Sequence, residues 1–141
     1  MTAPAVTKGP RFDLPVIDEE TRPFWDAARA GRLMIGQCNS CGKPHYYPRP
    51  FCPHCWSEDV VLKEASGRGT VYTYSTIFTN DMPPFNERLP YVAAMVDLEE
   101  GVRMSTNIID CDPADLKIGM QVSVAYREVT PELSIPVFRP A

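Results

Sequence analysis

The chain has 141 residues, of which 44% are apolar and 23% charged, and its net charge is −4. That length bounds it to one small domain or two compact modules. No apolar run approaches the ~20 residues of a membrane-spanning helix.

Residues 1–15 carry three prolines and little periodicity, which predicts a flexible arm. The arm holds no apolar stretch suited to a signal peptide. The expected location is therefore the cytoplasm, where thiols stay reduced and metal binding is favoured over disulfides. A helix follows. Thr21 is placed to cap it, Pro23 falls in the first turn where a missing N–H costs little, and Gly31 can end it in a left-handed conformation. Phe24 and Ala28 then share one face. Leu33–Gln37 reads as a strand leading into the cysteines.

Four cysteines follow in the pattern Cys38-x-x-Cys41, ten residues, Cys52-x-x-Cys55. Thiolates bind Zn²⁺ tetrahedrally, and each Cys-x-x-Cys turn lets two sulfurs converge. Asn39, Ser40 and Gly42 suit the first turn, and Pro53-His54 the second. The pattern predicts a rubredoxin-like zinc ribbon with one structural Zn²⁺ on Cys38, Cys41, Cys52 and Cys55. Such a closed site leaves no position for substrate. A pair of disulfides and an iron–sulfur cluster are the competing readings. From Ala27 to Ser57 there is no acidic residue, while Arg29, Arg32, Lys43 and Arg49 lie there. The ribbon is thus a small basic module on an acidic chain, suited to a phosphorylated ligand or simply to solvation.

After Leu62 the pattern changes to β. Thr70–Phe78 is rich in β-branched and aromatic residues. Tyr91–Leu98 and Val102–Asp110 read as a hairpin through Glu99-Glu100-Gly101. Leu116–Met120 reads as a turn or short helix, Gln121–Glu128 alternates, and Ile135–Phe138 closes the set. Five strands with one long connection predict a small Greek-key barrel of the OB-fold kind, with an open sandwich as the alternative. The expected class is mainly β, divided into arm 1–15, helix and ribbon 16–62, and barrel 63–141. Loops as long as Thr79–Pro90 are often functional. Its Met82, Phe85 and Leu89 can form a ligand-facing wall, dock on a partner, or cover the barrel end.

Helix, zinc ribbon, then five-stranded barrel is an unusual order. The chain resembles the acyl-CoA-associated zinc-ribbon and OB-fold proteins, long catalogued as a domain of unknown function. The resemblance is carried by Pro23-Phe24-Trp25, Gly31-Arg32-Leu33, the cysteine array and Gly67–Tyr72. Leu116–Val122 and Pro136–Pro140 carry it as well. It implies a cytoplasmic accessory subunit, in a hetero-oligomer with a thiolase-like or hydratase-like enzyme, that helps hold the CoA or pantetheine arm between ribbon and barrel. The nucleophile then belongs to the partner.

Residue chemistry agrees with such a role. CoA phosphates can pair with Arg32, Lys43 and Arg49 through charge-assisted bonds. Adenine can stack on Tyr46, Tyr47 or Phe51, and Phe85 can wall the arm. Phe24 and Trp25 either line that channel or anchor the helix. The spare Cys111 sits between Asp110 and Asp112, whose charges disfavour the reactive thiolate. His54 lies inside a knuckle, suited to hydrogen bonding beside the thiolates, and His45 reads as a surface or packed histidine. A single-stranded nucleic-acid-binding module is the alternative, since both folds serve that purpose. The acidic barrel half opposes it. A stand-alone hydrolase or Cys-x-x-Cys redox enzyme is the third reading.

Overall fold

The computed structural model describes residues 11–141. Residues 1–10, most of the expected arm, lie outside the described residues. Residues 11–13 are tied to the rest of the chain. The Phe12 amide donates to Pro83 O at 3.1 Å, and Arg11 reaches Val129 O at 3.4 Å.

The helix α1 spans Arg22–Arg29. Thr21 precedes it, yet its hydroxyl makes no capping bond to the helix. It donates instead to Asp18 Oδ1 at 3.0 Å, and the same oxygen accepts from the amides of Glu20 and Thr21. The cap expected of Thr21 is not made, and the Asp18 carboxylate instead holds the turn that leads into the helix. The far end follows expectation: Gly31 adopts φ +80° and donates to Ala28 O at 3.0 Å. Phe24, Trp25, Ala27 and Ala28 are buried.

Three short strands make the ribbon sheet, β1 (Met34–Cys38), β2 (Pro44–His45) and β3 (Val60–Glu64). They lie in the order β2-β1-β3, all antiparallel. The sequence reading lacks β3, a run of five residues whose pattern is too brief to separate from loop until β1 supplies its partner.

The second unit is a closed barrel. Its strands are β4 (Arg68–Ile77), β5 (Tyr91–Leu98), β6 (Arg103–Ile108), β7 (Gln121–Thr130) and β8 (Leu133–Pro140). The order around the barrel is β4-β5-β6-β8-β7, closed by β4 against β7. Alternation in β5 is complete, with Val92, Ala94, Val96 and Leu98 buried and their neighbours half-buried. β8 runs further than Ile135–Phe138 despite its prolines. It pairs along its length with β7, but with β6 only at Ile108 and Phe138, so missing amides are tolerated. The turn expected at Leu116–Met120 is present, closed by the Met120 amide donating to Lys117 O at 3.1 Å, and a 3₁₀ turn at Pro113–Asp115, capped by Asp112, precedes it.

Helix, ribbon and barrel share one core. Phe24, Leu33 and Ile35 join Val71, Val96, Val122 and Phe138 in a single buried cluster, with α1 lying on β8 and β1. Burying a side chain such as Phe24 stabilises the fold by about 2–3 kcal/mol. Among the described residues, no helix is long and apolar enough to cross a membrane.

Candidate metal centre and barrel cleft

β1 ends at Cys38, and the chain turns at once. Gly42 N–H donates to Cys38 O at 3.0 Å, and Gly42 takes φ +77° to return the chain toward β2. The second knuckle repeats the device, with Trp56 N–H donating to Cys52 O at 2.9 Å. Here the left-handed residue is Trp56 itself, at φ +66°. The knuckles are stitched together by Asn39 Nδ2 to Asp59 Oδ1 at 3.0 Å and by Ser40 and Ser57 hydroxyls 2.8 Å apart.

This framework gathers the four sulfurs. The ligand atoms of Cys38, Cys41, Cys52 and Cys55 all lie within 4.8 Å of one another, with Cys38 and Cys52 buried and the other two exposed. Cys38 Sγ is 3.6 Å from Cys55 Sγ, and Cys41 Sγ is 3.7 Å from Cys52 Sγ. Tetrahedral Zn–S bonds of ~2.3 Å require sulfurs roughly 3.8 Å apart, so the set fits the ion. Backbone amides point at the sulfurs. Cys41 N–H reaches Cys38 Sγ at 3.4 Å and His54 N–H reaches Cys52 Sγ at 3.3 Å. The Cys41 amide brings the Cys38 thiol down to about 6, favouring the thiolate a metal needs. Cys38, Cys41, Cys52 and Cys55 thus form a cluster able to coordinate a metal ion.

Both histidines are engaged nearby. His54 Nε2 lies 3.2 Å from Pro44 O. His45 is 4% exposed, and its Nδ1 has no hydrogen-bond partner among the described residues. Burial, then the nearby His54 and Arg49, hold its pKa below the ordinary value.

The residues expected to contact CoA are scattered. Arg32 faces Glu64 at 3.5 Å. Tyr46 is enclosed with Phe24 and Tyr47, and burial pushes its phenol pKa up. Tyr47 Oη accepts from Trp25 Nε1 at 2.8 Å, which ties both aromatics to the helix cluster. Phe51 stacks on the exposed Trp56, ring centroids 5.0 Å apart and 8° from parallel. Lys43 and Arg49 are exposed. Phe85 lies in the loop before β5, packed on Tyr91 at 6.2 Å under Arg88.

Sequence reasoning missed a cleft of about 1160 Å³ at one end of the barrel. The Thr79–Pro90 loop contributes Pro84, Arg88 and Pro90 to its wall, and β7 contributes Tyr126 and Arg127. These residues are far apart in sequence, and no local motif joins them. Cys111 lies on the rim, where burial first, then Asp115 and Asp112, raise its thiol pKa.

Two family models cover most of this architecture. The ChsH2 rubredoxin-like zinc ribbon domain matches residues 25–61, and the ChsH2 C-terminal OB-fold domain matches residues 62–127. The chain is 41% identical over 127 residues to a probable enoyl-CoA hydratase alpha subunit of Thermomonospora curvata, covering 90% of this chain and 39% of that one. It therefore spans about two fifths of that relative's length. It is 37% identical over 110 residues to a DUF35 domain-containing scaffold protein of Methanocaldococcus jannaschii, covering 74% and 75% of the two chains. A chain of the Ltp2-ChsH2(DUF35) aldolase superposes with a TM-score of 0.80 at 40% identity, covering 90% of this chain and 98% of that one. With its ribbon, barrel and cysteine cluster in this order, the chain belongs to the ChsH2/DUF35 family of zinc-ribbon and OB-fold proteins.

Proposed function

We propose that this protein is a non-catalytic accessory subunit of a cytoplasmic acyl-CoA enzyme. The partner is a thiolase-superfamily enzyme or, as the second kind, a hydratase-like one. The observation that carries this reading is the likeness to the ChsH2(DUF35) aldolase chain over nearly its whole length. Kinship with a hydratase subunit and a scaffold protein supports it.

The chemistry of the chain suits a helper. One structural Zn²⁺ on four sulfurs staples the two knuckles and spends every coordination position on structure. The spare thiol, Cys111, is biased away from the thiolate. The partner supplies the nucleophile, and this chain helps hold the CoA thioester. Lys43, Arg49 and the Trp56 ring that stacks on Phe51 are exposed on the ribbon, and we assign them to contact with the partner.

The test is capture from the native lysate, followed by assay of the captured enzyme with and without this chain. An acyl-CoA enzyme that copurifies and loses most activity when stripped of the chain supports the proposal. Turnover of acyl thioesters by the purified chain alone overturns it, as does failure both to capture such an enzyme and to bind CoA.

A further inference from the structure

Two guanidinium groups at the barrel cleft share one carboxylate, and a third lies close by. Asp13, its side chain 2% exposed, is bound by Arg11 at 2.8 Å and by Arg88 at 2.9 Å. Arg127 lies close enough for both Arg88 and Asp13 to act on it electrostatically. Among the described residues its one side-chain partner is neutral, Asn107 Oδ1 at 3.2 Å. Among the described residues, no carboxylate oxygen comes within 4.0 Å of Arg127. Glu87, Asp110 and Glu128 also line the cleft, yet none is paired with it. Leaving a half-buried guanidinium without a counter-ion costs free energy that a bound anion recovers. Burial first, then Arg88, pull its pKa down, as expected of a cation lacking a partner. Tyr126, on the same wall, has a buried hydroxyl with no hydrogen-bond partner among the described residues.

We infer that the barrel cleft binds the phosphate-bearing end of a small ligand, with its oxyanion on Arg127 and Arg88. Planar guanidinium forks match phosphate oxygens in pairs, and a dianion balances two cations where a carboxylate balances one. The apolar wall of Val92, Ile108 and Val129 suits the less polar remainder of the ligand. The volume, about 1160 Å³, admits a nucleotide-sized molecule. The inference rests on the accessory-subunit reading only in making CoA one of the probes. It moves the anionic contact from the ribbon, where the sequence put it, to the barrel.

Calorimetric titration of the purified chain tests it, with CoA, adenosine 3′,5′-bisphosphate, inorganic pyrophosphate and phosphate-free pantetheine as probes. The phosphorylated probes should bind and pantetheine should not. Arg127→Gln should weaken binding at least about tenfold, the loss of one charge-assisted contact. Arg127→Lys should restore part of it, and Arg88→Gln gives a second reading if Arg127→Gln folds poorly. Pyrophosphate binding that depends on Arg127, without CoA binding, supports the cleft and points to a different phosphorylated ligand. CoA binding lost in Arg49→Gln but unchanged in Arg127→Gln overturns the inference and leaves the accessory role standing. Absence of binding by every phosphorylated probe overturns it as well.

Discussion

Gly36 and His45 stand opposite each other on β1 and β2, and the imidazole occupies the space that a side chain at Gly36 needs. A Cβ there overlaps the ring directly, and a histidine only 4% exposed has little room to swing away. Gly36→Ala should destabilise the protein by about 2 kcal/mol, in the range of overpacked cores. Urea denaturation measures it. Gly36→Ala combined with His45→Ala should be more stable than the sum of the two single losses, because the second change removes the overlap.

Metal content is the next check. Wild-type protein should carry one zinc per chain by elemental analysis. Cys38→Ser removes a ligand whose sulfur is 3.6 Å from Cys55 Sγ, and it should lose the metal together with the fold of the ribbon. Binding at structural zinc sites supplies on the order of 10 kcal/mol, so chelation should unfold the knuckles and change the fluorescence of Trp56. Cys111→Ser, outside the cluster, should keep full zinc content and wild-type stability.

Asp13 makes stability depend on acid. Its burial favours the neutral form, but hydrogen bonds from Arg11 and Arg88 outweigh this and hold its pKa below the usual 3.8. The unfolded chain therefore takes up this proton at a higher pH than the folded one. The stabilisation is fully present above pH 3.8 and drains away as pH falls through the lower folded value. Asp13→Asn should cost about 2 kcal/mol at neutral pH, the scale of hydrogen bonds to a charged group. Its denaturation midpoint should also fall less steeply than wild type between pH 5 and 2. Parallel slopes would show that Asp13 is not the group responsible.

Trp25 joins α1 to the ribbon through one hydrogen bond, Nε1 to Tyr47 Oη at 2.8 Å. Trp25→Phe keeps most of the apolar contact and removes the donor, so a loss near 1 kcal/mol is expected. Phe24→Ala is the harsher change. That ring is fully buried against Trp25, Tyr46 and Tyr47, and cavity formation there should cost about 3–5 kcal/mol. Thermal melts of the two variants should keep this order.

Much of the architecture is legible along the chain because its determinants are local. Cys-x-x-Cys turns, the alternation of Tyr91–Leu98 and the left-handed Gly31 each depend on near neighbours, and each stands where its pattern places it. β3 and the Asp18 turn before α1 escaped notice for the opposite reason: a five-residue strand needs its partner, and the Thr21 hydroxyl goes to Asp18 only once the chain has turned. The cleft lies further beyond reach. Arg11, Arg88 and Arg127 come from an N-terminal segment, a loop and a barrel strand, and only the folded barrel brings Arg127 near the pair that Arg11 and Arg88 make with Asp13. Residue order thus determined a sulfur-bound ribbon joined to a small barrel. Tertiary packing alone decided where uncompensated charge gathers, because electrostatic energy depends on separation in space and not along the chain.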